Sequence, residues 1–278
     1  MNGSASRPVS PSERSVQVSV ILPCYRAAPL ARRSVEQLRD PLNGTGRPWE
    51  IVVVDDGGAD FAPTEWADDP RVRLIRLARN AGKGAAVRTG MLAASGQARI
   101  FTDVDLPFGA ELVPDIARSL LRERVHVVIG DRRLPGSAYR LRIPWGRRAA
   151  SSVFTAFVGT IVTSGVFDTQ CGLKGVRGDV ADALFPLLRV DRFAFDVELV
   201  YVSLKHRLEL KRIPVRLQHN ETSSVRLMRD SARGAIDVFR IKYNHLRRRY
   251  DSAALDELVR RDSAARVAGE RVTADSRA

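Results

Sequence analysis

The chain has 278 residues, 44% of them hydrophobic, enough for one sizeable core: a single large domain with extensions. Its 45 lysines and arginines against 32 acidic residues leave a formal charge of +13, which favours anionic partners such as nucleic acid, acidic lipid or a phosphorylated substrate. Two cysteines in no CxxC pattern and four scattered histidines exclude a disulfide framework and a zinc site of ordinary spacing, and they point to a reducing compartment.

Residues 1–14 (MNGSASRPVSPSER) read as a disordered tail without the apolar run of a signal peptide. The first strand is predicted at 16-VQVSVILP-23, β-branched and nearly continuous in apolar character, as in a buried parallel strand. A helix over about Leu30 to Arg39 follows, broken by 41-PLNGTGRP-48. Strands are then predicted at 49-WEIVVVDD-56 and 71-RVRLIRL-77. A helix opens at 80-NAGKGAAV-87 and ends near Ser95-Gly96. The fourth strand is 98-ARIFTDVD-105, a helix covers about Glu111 to Glu123, and the fifth strand is 125-VHVVIGD-131. Strands separated by single helices predict an α/β fold with a doubly wound, mostly parallel sheet.

Beyond Gly130 the alternation fades into a basic stretch, 131-DRRLPGSAYRLRIPWGRR-148, and an uncharged one, 149-AASSVFTAFVGTIVTSGVF-167. The latter approaches spanning length, but Ser, Thr and Gly supply eight of its nineteen residues, so a buried or membrane-surface helix pair is expected. A helical stretch around Ala181 to Leu188, the segment 192-RFAFDVELVYVSLKH-206 and a strand within 208-LELKRIPVRLQ-218 follow. A helix over 225–250 carries Ile236, Phe239, Tyr243 and Leu246 on one face with Arg and Lys along its flanks, a pattern suited to a membrane surface. The plan is thus a tail (1–14), one α/β domain (15–224), an amphipathic helix (225–250) and a loosely attached helix or tail (251–278).

Polar residues concentrate where such sheets bind ligands, at the carboxyl ends of strands. Strand one ends in Pro23-Cys24-Tyr25-Arg26, strand two in Asp55-Asp56-Gly57-Gly58, strand four in Asp103-Val104-Asp105. Residues two apart in a strand point to one side, so Asp103 and Asp105 would repel unless a cation lies beside them; they are either a solvated turn at the strand's end or the holders of a cation such as Mg²⁺ or Mn²⁺, which takes carboxylates plus diphosphate oxygens. Asp55 or Asp56 can accept from a nucleobase N–H or ribose hydroxyl, or simply close an Asx turn. The loop containing Asn80, Gly82, Lys83 and Gly84 opens a helix and offers backbone N–H groups and a lysine to an anion. Acidic strand ends suit nucleic acid poorly, which leaves it off the list of partners.

Six stretches in this order, 20-VILPCY-25, 51-IVVVDDG-57, 80-NAGKGAAVRTGM-91, 101-FTDVD-105, 168-DTQCGLK-174 and 192-RFAFDVEL-199, resemble the family 2 glycosyltransferases, most closely the dolichyl-phosphate β-glucosyltransferases among the polyprenyl-phosphate sugar transferases. The resemblance covers about Val16 to Arg249. It implies the GT-A fold, a Rossmann-like nucleotide-sugar-binding sheet flanked by helices. It places Pro23, Tyr25 and Asp55 or Asp56 at the nucleobase and ribose, Lys83 and Arg88 near the phosphates or ribose, and Asp103 and Asp105 on the metal. Asp168 and Gln170 would lie where donor sugar and acceptor meet, with Asp196 and Glu198 supporting that pocket. Arg132 and Arg133 are candidates for the acceptor phosphate, since guanidinium forks match phosphate oxygens. Asp168 is expected to orient the acceptor, bind metal or act as base. The implied reaction is metal-assisted, inverting transfer of a hexose, glucose from UDP-glucose by the nearest resemblance, to a dolichyl- or undecaprenyl-type phosphate. The alternatives are a saccharide or other non-lipid acceptor, or GDP-mannose as donor. The expected location is the cytoplasm, peripherally at the cytoplasmic face of the membrane. The first motif departs from the family's usual Asn-Glu continuation, with Arg26-Ala27 in its place. Cys171 reads as structural.

Overall fold

The computed structural model describes residues 16–138, 168, 169, 171–192, 194–218 and 227–275, with the backbone alone for 227–235 and 269–275. The predicted tail 1–14, the uncharged segment 149–167 and Gln170 lie outside the described residues. Seven strands form one sheet: β1 (Val18–Cys24), β2 (Trp49–Asp55), β3 (Val72–Arg76), β4 (Ala98–Phe101), β5 (Val127–Asp131), β6 (Lys174–Arg177) and β7 (Leu210–Pro214). Their order is β3-β2-β1-β4-β6-β5-β7. All pairings are parallel except those of β6, which runs antiparallel to β4 and β5. The described helices are α1 (Ala28–Gly44), α2 (Lys83–Ala93), α3 (Val113–Leu121), α4 (Gly178–Leu184), α5 (Phe195–Lys205), α6 (Leu227–Leu246) and α7 (Ala253–Asp275).

Burial explains why the central strands read as unbroken apolar runs. Every residue of β1 and β2 is buried, and alternate residues feed different layers. Val18, Val20 and Leu22 pack with α1 and α3, whereas Ile21, Val54 and Phe101 pack with α2, α4 and α5. Each such side chain contributes about 1.5–3 kcal/mol on burial.

Three differences from the sequence expectations have clear causes. β4 stops at Phe101, and Asp103 to Leu106 form a turn in which the Leu106 N–H donates to the Asp103 carbonyl at 3.0 Å. The same-side argument for Asp103 and Asp105 therefore does not apply, since neither lies in a strand. Helix α1 runs through Pro41 to Gly44. The proline removes one hydrogen bond in the last turn, and the full burial of Leu42 beside Leu38 outweighs that loss. The region after 251, expected as a loose helix or tail, is the docked helix α7. Leu255 is fully buried, and the buried Asp262 accepts from Arg177 at 2.5 Å and from His126 at 3.0 Å. Among the described residues no helix is long and apolar enough to cross a membrane.

Candidate active site

Parallel register sets the carboxyl ends of β1 and β2 side by side, with Cys24 opposite Asp55, and the Asp56 N–H donates to the Cys24 carbonyl at 2.7 Å. Pro23 is buried in β1 and Tyr25, just past it, is exposed. The Asp55 carboxylate closes its own turn, accepting from the N–H groups of Gly58 at 2.6 Å and Ala59 at 3.2 Å. Asp56 reaches the glycine loop, accepting from Ala81 N–H at 2.7 Å and Gly82 N–H at 2.9 Å. Gly57 is required directly after them. Its φ is +74°, and a Cβ there would collide with the backbone of Arg79 and Asn80.

The glycine loop is held from the other side by residues 188–192. Gly82 has φ +108° and no room for a Cβ against the Asp191 carbonyl, which accepts the Ala85 N–H at 3.0 Å. Arg88 donates to the Asp191 carboxylate at 2.6 Å and to the Leu188 carbonyl at 3.2 Å. Glu198 fixes the same segment, accepting the N–H groups of Arg189 at 2.9 Å and Val190 at 2.8 Å, while its other oxygen accepts the Tyr250 hydroxyl at 2.5 Å. Arg88 and Glu198 thus shape the loop's support.

Lys83, the first residue of α2, places its ammonium on the Asp103 carboxylate and lies 5.9 Å from the Phe195 ring centre. Burial alone would pull this lysine's pKa down; the charges of Asp103 and Asp196 outweigh it and hold the ammonium above its ordinary value. The 171–172 backbone passes directly over Asp103, where a Cβ on Gly172 would overlap the carboxylate. The turn itself is tied to α1, where the Ser34 hydroxyl donates to the Val104 carbonyl. Asp105 lies half-buried in this turn.

Behind Asp103 is a second ion pair. Lys174, in β6 with no exposed surface, donates to the Cys171 carbonyl at 2.6 Å and is ion-paired with Asp196. Burial raises the Asp196 carboxyl, an effect that Lys174 and Lys83 partly offset. Two lysines and two carboxylates thus form a neutral cluster, one end half-exposed at Asp103 and the other sealed. Asp168, 4% exposed, is gripped by Arg132 through the backbone N–H at 2.6 Å and through Nε and Nη2 at 2.9 and 2.5 Å. Burial would raise its pKa, but the Arg132 hydrogen bonds and charge prevail and hold it below the usual carboxylate range. Next to Arg132, the buried Asp131 accepts from Arg133 N–H at 2.8 Å and pairs with Arg212 at 2.5 Å. Burial pushes the Cys171 thiol up to about 12, which suits a structural residue rather than a nucleophile.

The family model described as glycosyl transferase family 2 matches residues 19–181. The chain belongs to glycosyl transferase family 2. Dolichyl-phosphate beta-glucosyltransferase of Dictyostelium discoideum is 28% identical over 84% of this chain and 76% of its own length. The Drosophila melanogaster protein of the same name is 32% identical over 73% of this chain and 67% of its own length. Among solved structures, glucosyl-3-phosphoglycerate synthase from Mycobacterium tuberculosis, in complex with Mn²⁺, UDP and glucosyl-3-phosphoglycerate, superposes with a TM-score of 0.58 at 16% identity, covering 84% of each chain. A mannosyltransferase from Pyrobaculum calidifontis with GDP-Man and Mn²⁺ gives 0.52 at 18% identity, over 88% of this chain and 68% of that one. These likenesses establish the GT-A fold, and the family makes the protein a glycosyltransferase.

In this family 2 chain, Pro23, Tyr25, Asp55, Asp56, Lys83 and Asp103 share the edge formed by the ends of β1, β2 and β4. Arg132 and Asp168 meet one another at the end of β5, and Asp196 joins the cluster through Lys174. Arg88 and Glu198 face the 188–192 segment. Sequence reading missed Lys174, Asp191 and Arg212. The signal for Lys174 was a lone lysine in the apolar run Gly172-Leu-Lys-Gly-Val176, since a charge so placed must have a partner.

Proposed function

We propose that this glycosyltransferase moves glucose from UDP-glucose to a polyprenyl phosphate, dolichyl or undecaprenyl in type, inverting the anomeric centre with the help of Mg²⁺ or Mn²⁺. The observation that carries the sugar and the acceptor is the similarity to dolichyl-phosphate glucosyltransferases over most of the chain. The site geometry supports the donor end. The N–H groups of Lys83 and Gly84 make no hydrogen bond to another described residue, so the start of α2 offers two donors and an ammonium to a diphosphate. Tyr25 and Pro23 would flank the nucleobase. Asp55 and Asp56 keep lone pairs beyond their backbone bonds for a ribose hydroxyl or nucleobase N–H.

The residues present fit a hard divalent ion. Asp103 already carries a cation, the Lys83 ammonium, and Asp105 lies half-buried two positions on in the same turn. Among the described residues no third His, Cys, Asp or Glu joins them, so the remaining ligands would be diphosphate oxygens and water, as Mg²⁺ and Mn²⁺ accept. When bound, the ion would offset the charge that develops on the departing diphosphate. A phosphate acceptor is anionic at neutral pH and attacks without a strong base, which accords with the low basicity of Asp168. Asp168 then acts as an orienter: it locks Arg132 so that Arg132 and Arg133 meet the acceptor phosphate pre-organised. Gln170 would contact the sugar from the same segment. Asp196 supports Lys83 and Lys174, and Arg88 with Glu198 supports the loop under the diphosphate. The lipid acceptor places the reaction at a bilayer surface, on the cytoplasmic side where nucleotide sugars are found.

The test is transfer of radiolabel from UDP-glucose to a short-chain polyprenyl phosphate, with Mg²⁺ or Mn²⁺ and with EDTA, comparing wild type with Asp105→Asn. Metal-dependent transfer that the variant loses is expected. Transfer unaffected by EDTA removes the metal from the proposal. UDP-glucose binding without transfer to any polyprenyl phosphate removes the lipid acceptor.

A further inference from the structure

Helix α6 carries two apolar faces. Val238 and Ile241 are buried against the core. On the opposite side Ile236, Phe239, Tyr243 and Leu246 are 66%, 66%, 48% and 79% exposed, and they account for most of the large exposed hydrophobic side chains among the described residues. At about 100° per residue these four lie within an arc of about 80°, a continuous stripe three turns long. Cations border it. Arg240 and Arg247 fall within about 40° of the Ile236 edge, and Lys242 about 40° beyond the Leu246 edge. The guanidiniums of Arg247 and Arg249 lie 5.3 and 5.9 Å from the Tyr243 ring centre. Single exposed apolar residues are ordinary; an aligned set with a tyrosine and basic margins is the surface of a helix that lies in a membrane interface.

The stripe leads to the catalytic edge. Ile236 and Arg240 line a cleft of about 340 Å³ together with Asp237, Asp191, Arg192 and Ala81, and Ala81 belongs to the glycine loop, two positions before Lys83. A bilayer against the stripe would therefore bring its headgroup plane to the mouth of a cleft that borders the nucleotide side of the site. We propose that the outer face of α6 is a docking surface for an anionic lipid bilayer, with Phe239 and Leu246 as apolar anchors and Arg240, Lys242 and Arg247 as headgroup contacts. This deepens the reading of a lipid-phosphate acceptor by assigning the surface that meets the lipid, and the docking stands on the helix alone. The anchors enter the acyl boundary, the tyrosine and the cations stay at headgroup depth, and charge makes anionic lipid the preferred surface.

The test measures co-sedimentation of the full chain with phosphatidylcholine–phosphatidylglycerol vesicles and with pure phosphatidylcholine vesicles, for wild type, Phe239→Asn/Leu246→Asn and the control Leu92→Asn, an exposed apolar residue on α2. Binding to the anionic vesicles is expected to fall about tenfold per anchor removed, to weaken with salt, and to be unchanged in the control. In Phe239→Trp, brominated acyl chains should quench the indole. Equal binding by the double variant, equal binding to neutral vesicles, or absence of quenching overturns the proposal. So does a wild-type dimer in solution that the double variant dissociates, because the face then belongs to a second copy. Glucosyl transfer to a detergent-dispersed short-chain acceptor should be the same in wild type and double variant. Loss of transfer in both with vesicle binding intact would sink the acceptor reading and leave the docking surface standing.

Discussion

Replacing Lys83 by Met keeps most of the side-chain volume and removes the ammonium that Asp103 and Asp196 share. The neutral cluster of two lysines and two carboxylates then carries one excess negative charge. A pair of unit charges about 4 Å apart interacts by about 4 kcal/mol at an effective dielectric near 20. Asp103 is a third exposed, so solvent screening reduces its share to about 1–2 kcal/mol. In the free protein this is the advantage the ammonium holds over an incoming divalent ion. Its removal should tighten Mn²⁺ binding to the nucleotide-free protein by about tenfold. On the proposed function the same lysine is also a charged donor for the diphosphate, worth about 1.5–3 kcal/mol, so affinity for UDP measured without metal should fall about ten- to hundredfold. Opposite signs are the signature. The assay is Mn²⁺ titration by electron paramagnetic resonance without nucleotide, with UDP titrated calorimetrically in EDTA. Weaker Mn²⁺ binding in Lys83→Met, or unchanged UDP affinity, would refute the idea that this lysine exchanges its carboxylate partner for the diphosphate.

Other outcomes follow from single contacts. Lys174→Met should lower the melting temperature by about 10 °C, because removing one partner of a buried pair costs about 3–5 kcal/mol, whereas Lys174→Met/Asp196→Leu should recover stability without recovering transfer. Gly172→Ala should cut transfer at least about hundredfold at nearly unchanged melting temperature, since its Cβ strikes the half-exposed Asp103 carboxylate; full activity would show that the 171–172 backbone moves aside. Because Arg132 depresses the Asp168 pKa, the stability difference between wild type and Arg132→Gln should be fully present above about pH 4, the unfolded carboxylate value, and should shrink as pH falls through the lower folded value. A difference that grows on acidification would contradict that sign.

What the sequence made legible was what the backbone pattern dictates. Strands buried on both faces are almost wholly apolar, so β1 and β2 were readable to within a residue or two, and a polar residue at their ends stood out. The acidic pairs and the glycine loop were legible for the same reason. The turn geometry of Asp103 was not, because nothing local distinguishes a strand that stops at Phe101 from one that continues through Thr102. β6 was hidden: Lys174-Gly-Val-Arg177 is too short for a period to emerge, and of its two buried charged residues Lys174 looks misplaced until Asp196, 22 residues later, is brought beside it. Helix α7 was expected to attach only loosely because few apolar residues, Leu255, Leu258 and Val259, dock it, and the rest of its attachment is ionic. Asp262 finds His126 and Arg177, partners from β5's approach and the end of β6, and long-range pairs of this kind have no sequence period.

A different set of long-range contacts ties the end of α6 to the support of the catalytic edge. Tyr250, fully buried after α6, donates to Glu198; Glu198 holds the N–H groups of Arg189 and Val190; and the carbonyls of Val190 and Asp191 press on Gly84 and Gly82. Burial raises the Glu198 carboxyl, and the Tyr250 and backbone donors that offset part of this are also what orients it. The glycine loop is thus shaped from below by residues some hundred positions away along the chain. This explains why Glu198 can matter to a site it does not enter. It also links α6 to the glycine loop: Tyr250, just past the helix, and the 189–190 backbone that lies against the loop bond to one carboxylate. A family 2 enzyme with a lipid acceptor needs the bilayer surface and the donor phosphates in fixed register. On the proposed lipid-acceptor reading, one buried glutamate bonded to Tyr250 and to the 189–190 backbone would help set that register.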